Sequence, residues 1–114
     1  MSDNNNKEFY IAVILLVSTS ESGNKEPLYQ ENFVLLEASG DEEARNAALE
    51  HARRSCIRYE NAEGETIQWS LKHIVDVNRV LAEELKHGAD LYARHFTNYD
   101  AYYNFEPLLG GSSG

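Results

Sequence analysis

Cysteine is almost absent from this chain of 114 residues, in which Cys56 is the only one. A single cysteine excludes an internal disulfide, which is typical of proteins in a reducing compartment such as the cytoplasm. Long hydrophobic runs are absent as well. The longest covers only 10–17, whereas a membrane-spanning helix needs about 20 apolar residues. These absences predict a cytoplasmic protein without a membrane partner.

Basic residues are also scarce, because ten Lys and Arg stand against nineteen Asp and Glu, for a net charge of −9. Proteins that bind nucleic acid gain most of their affinity by neutralising phosphates with clustered cations. The densest basic run here is Arg53-Arg54, so we expect no nucleic-acid partner. The sign of the charge favours a basic protein partner instead.

The motifs of common catalytic and cofactor-binding sites are missing. The seven glycines form no phosphate-binding loop, and no Gly-x-Ser-x-Gly nucleophile motif occurs. The four histidines and Cys56 lack the close spacing of metal ligands. The sequence therefore predicts no catalytic residue, no metal site and no cofactor, and it disfavours an enzyme without excluding one.

The hydrophobic pattern indicates strands and one main helix. Apolar runs at 9–18 and 28–38, joined by a short polar turn, predict two antiparallel strands. Residues 39–59 begin with a capping-box pattern, Ser39 with Glu42, and carry small side chains at helical spacing. From Thr66 an alternation with period two predicts a third strand. The residues expected to share one face of this strand are Ile67, Trp69, Leu71, His73, Val75 and Val77.

A short helix over 78–88 and a fourth strand over 89–96 complete the predicted fold. The class is α+β: an antiparallel sheet of about four strands, in the chain order β-β-α-β-β with a short helix before the last strand, packed on one main helix. Residues 1–8 are expected to form a flexible leader and 9–96 a single domain. Residues 97–114 are expected to form an aromatic and acidic tail ending in a flexible Gly/Ser run.

The first group of candidate binding residues, Asn61, Glu65 and Trp69, surrounds a glycine turn. On a structural interpretation, Glu65 accepts hydrogen bonds from backbone N–H groups and holds the turn. On a functional interpretation, the three residues form a pocket with Arg94 or His95. Such a pocket could bind a small ligand or support a modest hydrolase.

The second group is the aromatic cluster of the tail, Tyr99, Tyr102, Tyr103 and Phe105. Tyrosine offers a large contact area with one polar end, so it is common in binding surfaces. These residues are expected either to fold back over an open sheet face or to contact a partner or another copy of the chain.

Three stretches, "LLEASGDEEARNAALEHA", "YENAEGETIQWSLKHIVDV" and "LKHGADLYARHF", together resemble a bacterial family of small proteins, domain of unknown function 4288. The resemblance extends from Phe9 to Phe96 and is strongest at Asn61, Gly64, Glu65 and Trp69. It implies a single bacterial cytosolic domain, and it implies no activity, because none is assigned to the family.

Three functions are compatible with these patterns. The leading hypothesis is a non-catalytic protein-binding or regulatory domain, of which an acidic inhibitor or immunity-type protein would be one form. The second is a small-ligand-binding protein or modest hydrolase that uses the Asn61–Glu65–Trp69 turn. The third is a homo-oligomeric scaffold assembled through edge strands or the tail.

Overall fold

The computed structural model describes residues 6–23 and 25–106, and this part of the chain forms four strands and two helices. The strands make one antiparallel sheet in the order β2-β1-β4-β3. The predicted α+β class with a four-stranded antiparallel sheet is therefore confirmed. The elements are β1 (Glu8–Ser20), β2 (Leu28–Ala38), α1 (Asp41–Ser55), β3 (Arg58–Glu60), β4 (Thr66–Arg79) and α2 (Tyr99–Phe105).

The predicted ends of the domain coincide only partly with this description. Residues 1–5 of the predicted leader and 107–114 of the predicted tail, with its Gly/Ser run, lie outside the described residues. Of the remaining leader, Glu8 already belongs to β1, and part of the predicted tail forms α2.

β1 lies inside the sheet because both of its faces are apolar. Residues 10–14 and Leu16 are buried, and β-branched side chains of this kind favour a pleated strand. β1 pairs with β2 along one edge and with β4 along the other. Its even-numbered side chains consequently face α1, and its odd-numbered side chains face the opposite side of the sheet.

α1 contacts the sheet through a stripe of alanines. Ala44, Ala48 and Ala52 are fully buried, and the last two share a core cluster with Ile14 and Leu16. Small side chains at this spacing allow the helix to approach the strands closely, so the packed core lies between α1 and the sheet.

The start of α1 differs in one detail from the predicted capping box. Gly40, not Ser39, is the N-cap residue. The acidic side chain that accepts hydrogen bonds at the start of the helix is therefore that of Glu43 and not that of Glu42. The Glu43 carboxylate accepts a hydrogen bond from the Ser39 backbone N–H at 2.9 Å and another from the Ser39 hydroxyl. These hydrogen bonds, that from the hydroxyl first, lower the pKa of Glu43.

The alternation predicted for β4 is interrupted by two register shifts in its pairing with β1. An extra residue in one strand reverses the face on which the following side chains lie. Trp69, Leu71 and Val77 share the side that faces α1, but Ile74 packs there too. His73, which was expected to share the face of Trp69, lies on the opposite side.

The short helix and the fourth strand that were predicted after β4 are not found there. β4 continues to Arg79, and within the described part of the chain 78–88 contain no helix and 89–96 contain no strand. The additional strand is β3, in a stretch that had been assigned to the end of the main helix. An extended segment across a sheet face alternates its side chains as a paired strand does, so the pattern alone cannot distinguish the two.

The side of the sheet opposite α1, which we call the open face, carries Ile11 and Val13 of β1 and Phe33 and Leu35 of β2. Only one segment, 81–98, crosses it in the described part of the chain. Its side chains cover β1 but leave Phe33 58% and Leu35 47% exposed. The open face is therefore only half covered.

Candidate functional site

The turn between β3 and β4 is held together by Asn61. Its side-chain oxygen accepts hydrogen bonds from the backbone N–H groups of Glu63 and Glu65, each at 2.9 Å. Its backbone N–H donates to the Glu65 carbonyl at 2.8 Å. Gly64 has a φ of +81°, which glycine adopts without strain. Asn61, and not Glu65 as expected, thus accepts the backbone N–H groups of the turn.

The Glu65 carboxylate instead connects this turn to the loop between β1 and β2. Lys25 Nζ lies 3.3 Å from Glu65 Oε1, and Asn61 Nδ2 donates to the same oxygen at 3.4 Å. Ser22 Oγ donates to Glu65 Oε2 at 3.4 Å. The hydrogen bond from Lys25, followed by that from Asn61, lowers the pKa of Glu65. A carboxyl group with a lowered pKa is ionised at neutral pH and has no proton to donate. Glu65 is therefore a poor general acid.

Trp69 does not join this turn. It lies on the side of β4 that faces α1, packed against the core cluster, and its backbone N–H donates to the Ile57 carbonyl at 2.8 Å. Arg94 and His95 line a groove beside Phe33 on the open face. The structure therefore does not bring Trp69 together with Arg94 or His95, because the sheet separates them.

Arg94 belongs to what we call the C-terminal groove, a hollow of about 620 Å³ between β2 and the end of the described chain. Two of the predicted aromatic residues, Tyr102 and Phe105, line it as well. Tyr102 stacks on Phe96 with a ring-centroid distance of 4.8 Å and an interplanar angle of 11°. The lining of the groove includes Glu31, Phe33, Arg94, Phe96, Tyr102 and Phe105.

The other two aromatic residues of the predicted cluster, Tyr99 and Tyr103, contact each other with ring centroids 6.0 Å apart. All four lie on α2, which has no buried residue. Asn98 caps this helix by accepting a hydrogen bond from the Ala101 N–H at 3.0 Å. α2 therefore presents its aromatic side chains without burying them in the core.

Tyr92 fixes the crossing segment to the open face, and sequence reasoning did not single it out. Its hydroxyl donates to Asp76 Oδ2 of β4 at 2.7 Å, and its ring meets Phe33 of β2 edge to face, with centroids 6.0 Å apart. Burial first, and then the hydrogen bond to Asp76, raises the pKa of Tyr92. Tyr92 stands in the "LKHGADLYARHF" stretch and Asp76 in "YENAEGETIQWSLKHIVDV". Both residues therefore lie in stretches on which the resemblance to the family rests, and this could have pointed to them.

A second hollow of about 440 Å³ adjoins the groove. Ile11, Leu35, Leu85 and Leu91 line it, and Phe33 and Tyr92 line both hollows. The two hollows therefore form one continuous, largely apolar surface.

Comparison with protein families identifies the chain. The profile of a domain of unknown function, DUF4288, matches residues 9–93, which is most of the sequence. The chain belongs to the DUF4288 family. A search of curated proteins gives no significant match, and a search of solved structures gives none either. The family assignment confirms the resemblance and brings no activity with it.

Charge around the open face of this DUF4288 domain is mainly negative. β2 contains Glu31 and Glu37 and no basic residue. The stretch 80–106 contains five acidic residues and two basic ones, Lys86 and Arg94. Of the residues that line the two hollows, Glu31 and Glu106 are acidic and Lys86 and Arg94 are basic.

Two further features concern metal ligands and membrane-spanning helices. Among the described residues, no three His, Cys, Asp or Glu side chains are grouped so that they could hold a metal ion. No helix within the same residues is long and apolar enough to cross a membrane.

Proposed function

We propose that this DUF4288 domain is a non-catalytic protein-binding domain of the cytoplasm. Its docking surface is the open face together with the C-terminal groove, and its partner is a basic protein. An inhibitor that neutralises a basic toxin or nuclease would be one form of this function. The observation that carries the proposal is the half-covered apolar face of the sheet beside an aromatic helix.

Exposure of large apolar side chains supports a binding role. Phe33 and Leu35 lie on the open face, and Phe105 on α2 is 75% exposed. Exposed apolar surfaces that are rimmed by polar residues commonly mark interaction sites. Aromatic side chains such as Phe105 and Tyr102 also provide much of the binding energy at protein interfaces.

Charge supports a basic partner. The chain has a net charge of −9, and acidic side chains border the apolar surface. A positive partner surface would be steered towards this face and would be matched to it once bound. A second copy of the chain would bring the same negative charge, so self-association is the weaker alternative.

Affinity capture with three versions of the full chain tests the proposal. The first bait is the wild type, the second carries Tyr102→Asp and Phe105→Asp, and the third carries Asn46→Asp on the exposed side of α1. We expect basic proteins of the host to be enriched on the wild type and on the Asn46→Asp bait. The double variant should lose them by about tenfold or more, because truncating a hot-spot aromatic residue costs about 2 kcal/mol or more and about 1.4 kcal/mol corresponds to tenfold in affinity.

Direct binding measurements then show whether the enriched proteins bind the proposed surface. Each enriched protein is purified and titrated with the three baits by calorimetry. The proposal fails if the affinity is the same for all three baits, if no basic protein binds, or if the wild type recovers only further copies of itself.

A further inference from the structure

We propose that the free edge of β2 accepts an extended segment of the partner as an additional strand. This inference rests on the proposed function and specifies the chemistry of the partner. The segment has basic side chains that face Glu31 and Glu37 and apolar side chains that face Phe33 and Leu35. Its pattern is basic-x-apolar-x-apolar-x-basic.

The first observation is that β2 ends the sheet. Its eleven residues pair with β1 on one side only. Among the described residues, no backbone hydrogen bond outside the sheet involves β2. Half of the N–H and C=O groups of an edge strand point away from the sheet, and another chain can bind to them as an added strand.

The second observation is that β2 lacks two common protections against strand pairing, a bulge and a proline. Natural edge strands also use charged side chains, especially lysine, for this purpose. β2 contains neither proline nor lysine, and its pairing with β1 continues from Glu8↔Ala38 to Ser18↔Leu28 without a register shift. β2 is thus long, regular and available for pairing.

The third observation is the row of side chains on the open face of β2. Because side chains alternate along a strand, Glu31, Phe33, Leu35 and Glu37 lie on the same face. Residues directly opposite each other on neighbouring strands interact, and opposite charges or two apolar groups stabilise the pair. The row has a carboxylate at each end and apolar groups between, so its complement is the same for a parallel and an antiparallel partner strand.

The fourth observation is that the free edge of β2 borders the C-terminal groove. Glu31 and Phe33 belong to the row on β2 and also line the C-terminal groove. A side chain opposite either of them would therefore lie at the mouth of the groove, within the surface that Tyr102 and Phe105 form. Backbone pairing would supply affinity and the groove would select the side chain, a division found in other complexes formed by strand addition.

Charge disfavours the other obvious occupant, a second copy of β2. The only charged side chains that two copies would bring to the joined edges are glutamates, and each copy has a net charge of −9. Like charges directly opposite each other destabilise a strand pair. The edge is therefore better matched to a basic segment than to itself.

A charge-swap experiment with synthetic peptides tests the inference on the full chain. The probe is a fluorescent peptide with the sequence Lys-Thr-Val-Thr-Val-Thr-Lys, and its affinity is measured by fluorescence anisotropy. A scrambled peptide, Lys-Lys-Val-Val-Thr-Thr-Thr, has the same composition without the alternation. A third peptide carries Glu at both ends in place of Lys.

We expect the alternating Lys peptide to bind the wild type at least about tenfold more tightly than the scrambled peptide, because only the alternating peptide matches the row on β2. The double variant Glu31→Lys with Glu37→Lys should lose that binding and bind the Glu peptide instead. A matched control, Glu42→Lys with Glu60→Lys, makes the same change of charge on α1 and on the far edge of the sheet. It should behave like the wild type.

Amide hydrogen exchange measured by NMR provides a second readout, because an added strand slows exchange along β2 and general charge attraction does not. The inference is overturned if the scrambled peptide binds equally well, if both double variants lose binding alike, or if exchange along β2 is unchanged in the bound state. Should the peptide fail while a basic host protein still requires Tyr102 and Phe105, strand addition is rejected and the proposed function stands.

Discussion

The Asn61 side chain holds the β3–β4 turn with a single oxygen, which accepts two backbone N–H groups. Replacing it with alanine leaves both donors without this acceptor. We expect Asn61→Ala to lower the free energy of unfolding by about 1–3 kcal/mol, because each of the two lost hydrogen bonds contributes about 0.5–1.5 kcal/mol. Urea denaturation measures the change.

Asn46→Ala is the matched control for that experiment, because Asn46 lies on the exposed side of α1. A surface substitution of this kind changes stability by no more than about 0.5 kcal/mol. Equal losses in the two variants would contradict the structural role of Asn61.

A second residue-scale prediction concerns the ion pair between Lys25 and Glu65. The folded-state pKa of Glu65 lies below its ordinary value, chiefly because of Lys25. The contact therefore stabilises the fold above the unfolded pKa of Glu65 and loses that contribution as pH falls through the lowered folded-state pKa. The pKa of Lys25 is raised, first by its hydrogen bond to Glu63 and then by that to Glu65, so the part of the contribution that depends on the Lys25 charge is lost at alkaline pH.

We expect Lys25→Met to raise the pKa of Glu65 towards the ordinary carboxyl value, as followed by NMR titration of the carboxyl carbon. Lys72→Met removes the same charge from β4 and should leave the pKa of Glu65 where it is. An unchanged pKa in Lys25→Met would show that Lys25 is not the main cause of the shift.

Sequence reasoning succeeded at single residues where one local rule decides the outcome. Gly64 forms the expected glycine turn, and Trp69 shares one face of its strand with Leu71 and Val77 as expected. It failed for Glu65, which was expected to bind backbone N–H groups. Asn61 and Glu65 are both able to accept those bonds, and only the backbone geometry of the turn determines that Asn61 does so.

At the scale of elements, α1 depends on its stripe of buried alanines. The Ala48 side chain is fully buried between the helix and the sheet, so a larger residue must displace one of them. We expect Ala48→Leu to lower the free energy of unfolding by about 1–3 kcal/mol, a typical cost of overpacking. Denaturant unfolding is the measurement.

Asn46→Leu provides the control for the helix, because it adds a leucine on the exposed side of the same element. Its effect should be within about 0.5 kcal/mol. If Ala48→Leu changed the free energy of unfolding as little as Asn46→Leu, the close packing of α1 against the sheet would be contradicted.

The elements that were predicted correctly are those with a strong periodic signal: β1, β2, α1 and most of β4. The register shifts of β4 were not predictable, because they follow from its pairing with β1 and not from its own sequence. The segment 89–96 was misassigned for a related reason. Whether an alternating segment pairs with an edge or lies across a face depends on which surface of the sheet remains uncovered, and local sequence does not contain that information.

At the scale of the whole molecule, the two sides of the sheet differ. α1 closes one side, whereas a single extended segment covers half of the other. The radius of gyration is 17.7 Å, with extents of 55 × 36 × 24 Å. A compact domain of about 100 residues has a radius of gyration near 13 Å. The molecule is therefore more extended than a compact domain of similar length.

The candidate site was only partly predictable for the same reason. The sequence offered the aromatic residues at the end of the chain and the acidic charge as candidates for a binding role. It did not indicate that Phe33 and Glu31, far away in the sequence, lie beside Tyr102 and Phe105. That juxtaposition arises because the chain crosses the open face after Gly88, and Tyr92 holds it there through Asp76.

Photo-crosslinking in living host cells tests most directly whether the open face is the binding surface. A photoreactive amino acid is placed singly at Tyr102 beside the groove, at Asn46 on α1, or at Ala62 in the β3–β4 turn. We expect a basic protein to be crosslinked from Tyr102 and not from the other two positions. Equal crosslinking from all three, or crosslinks only between copies of the chain, would contradict the account.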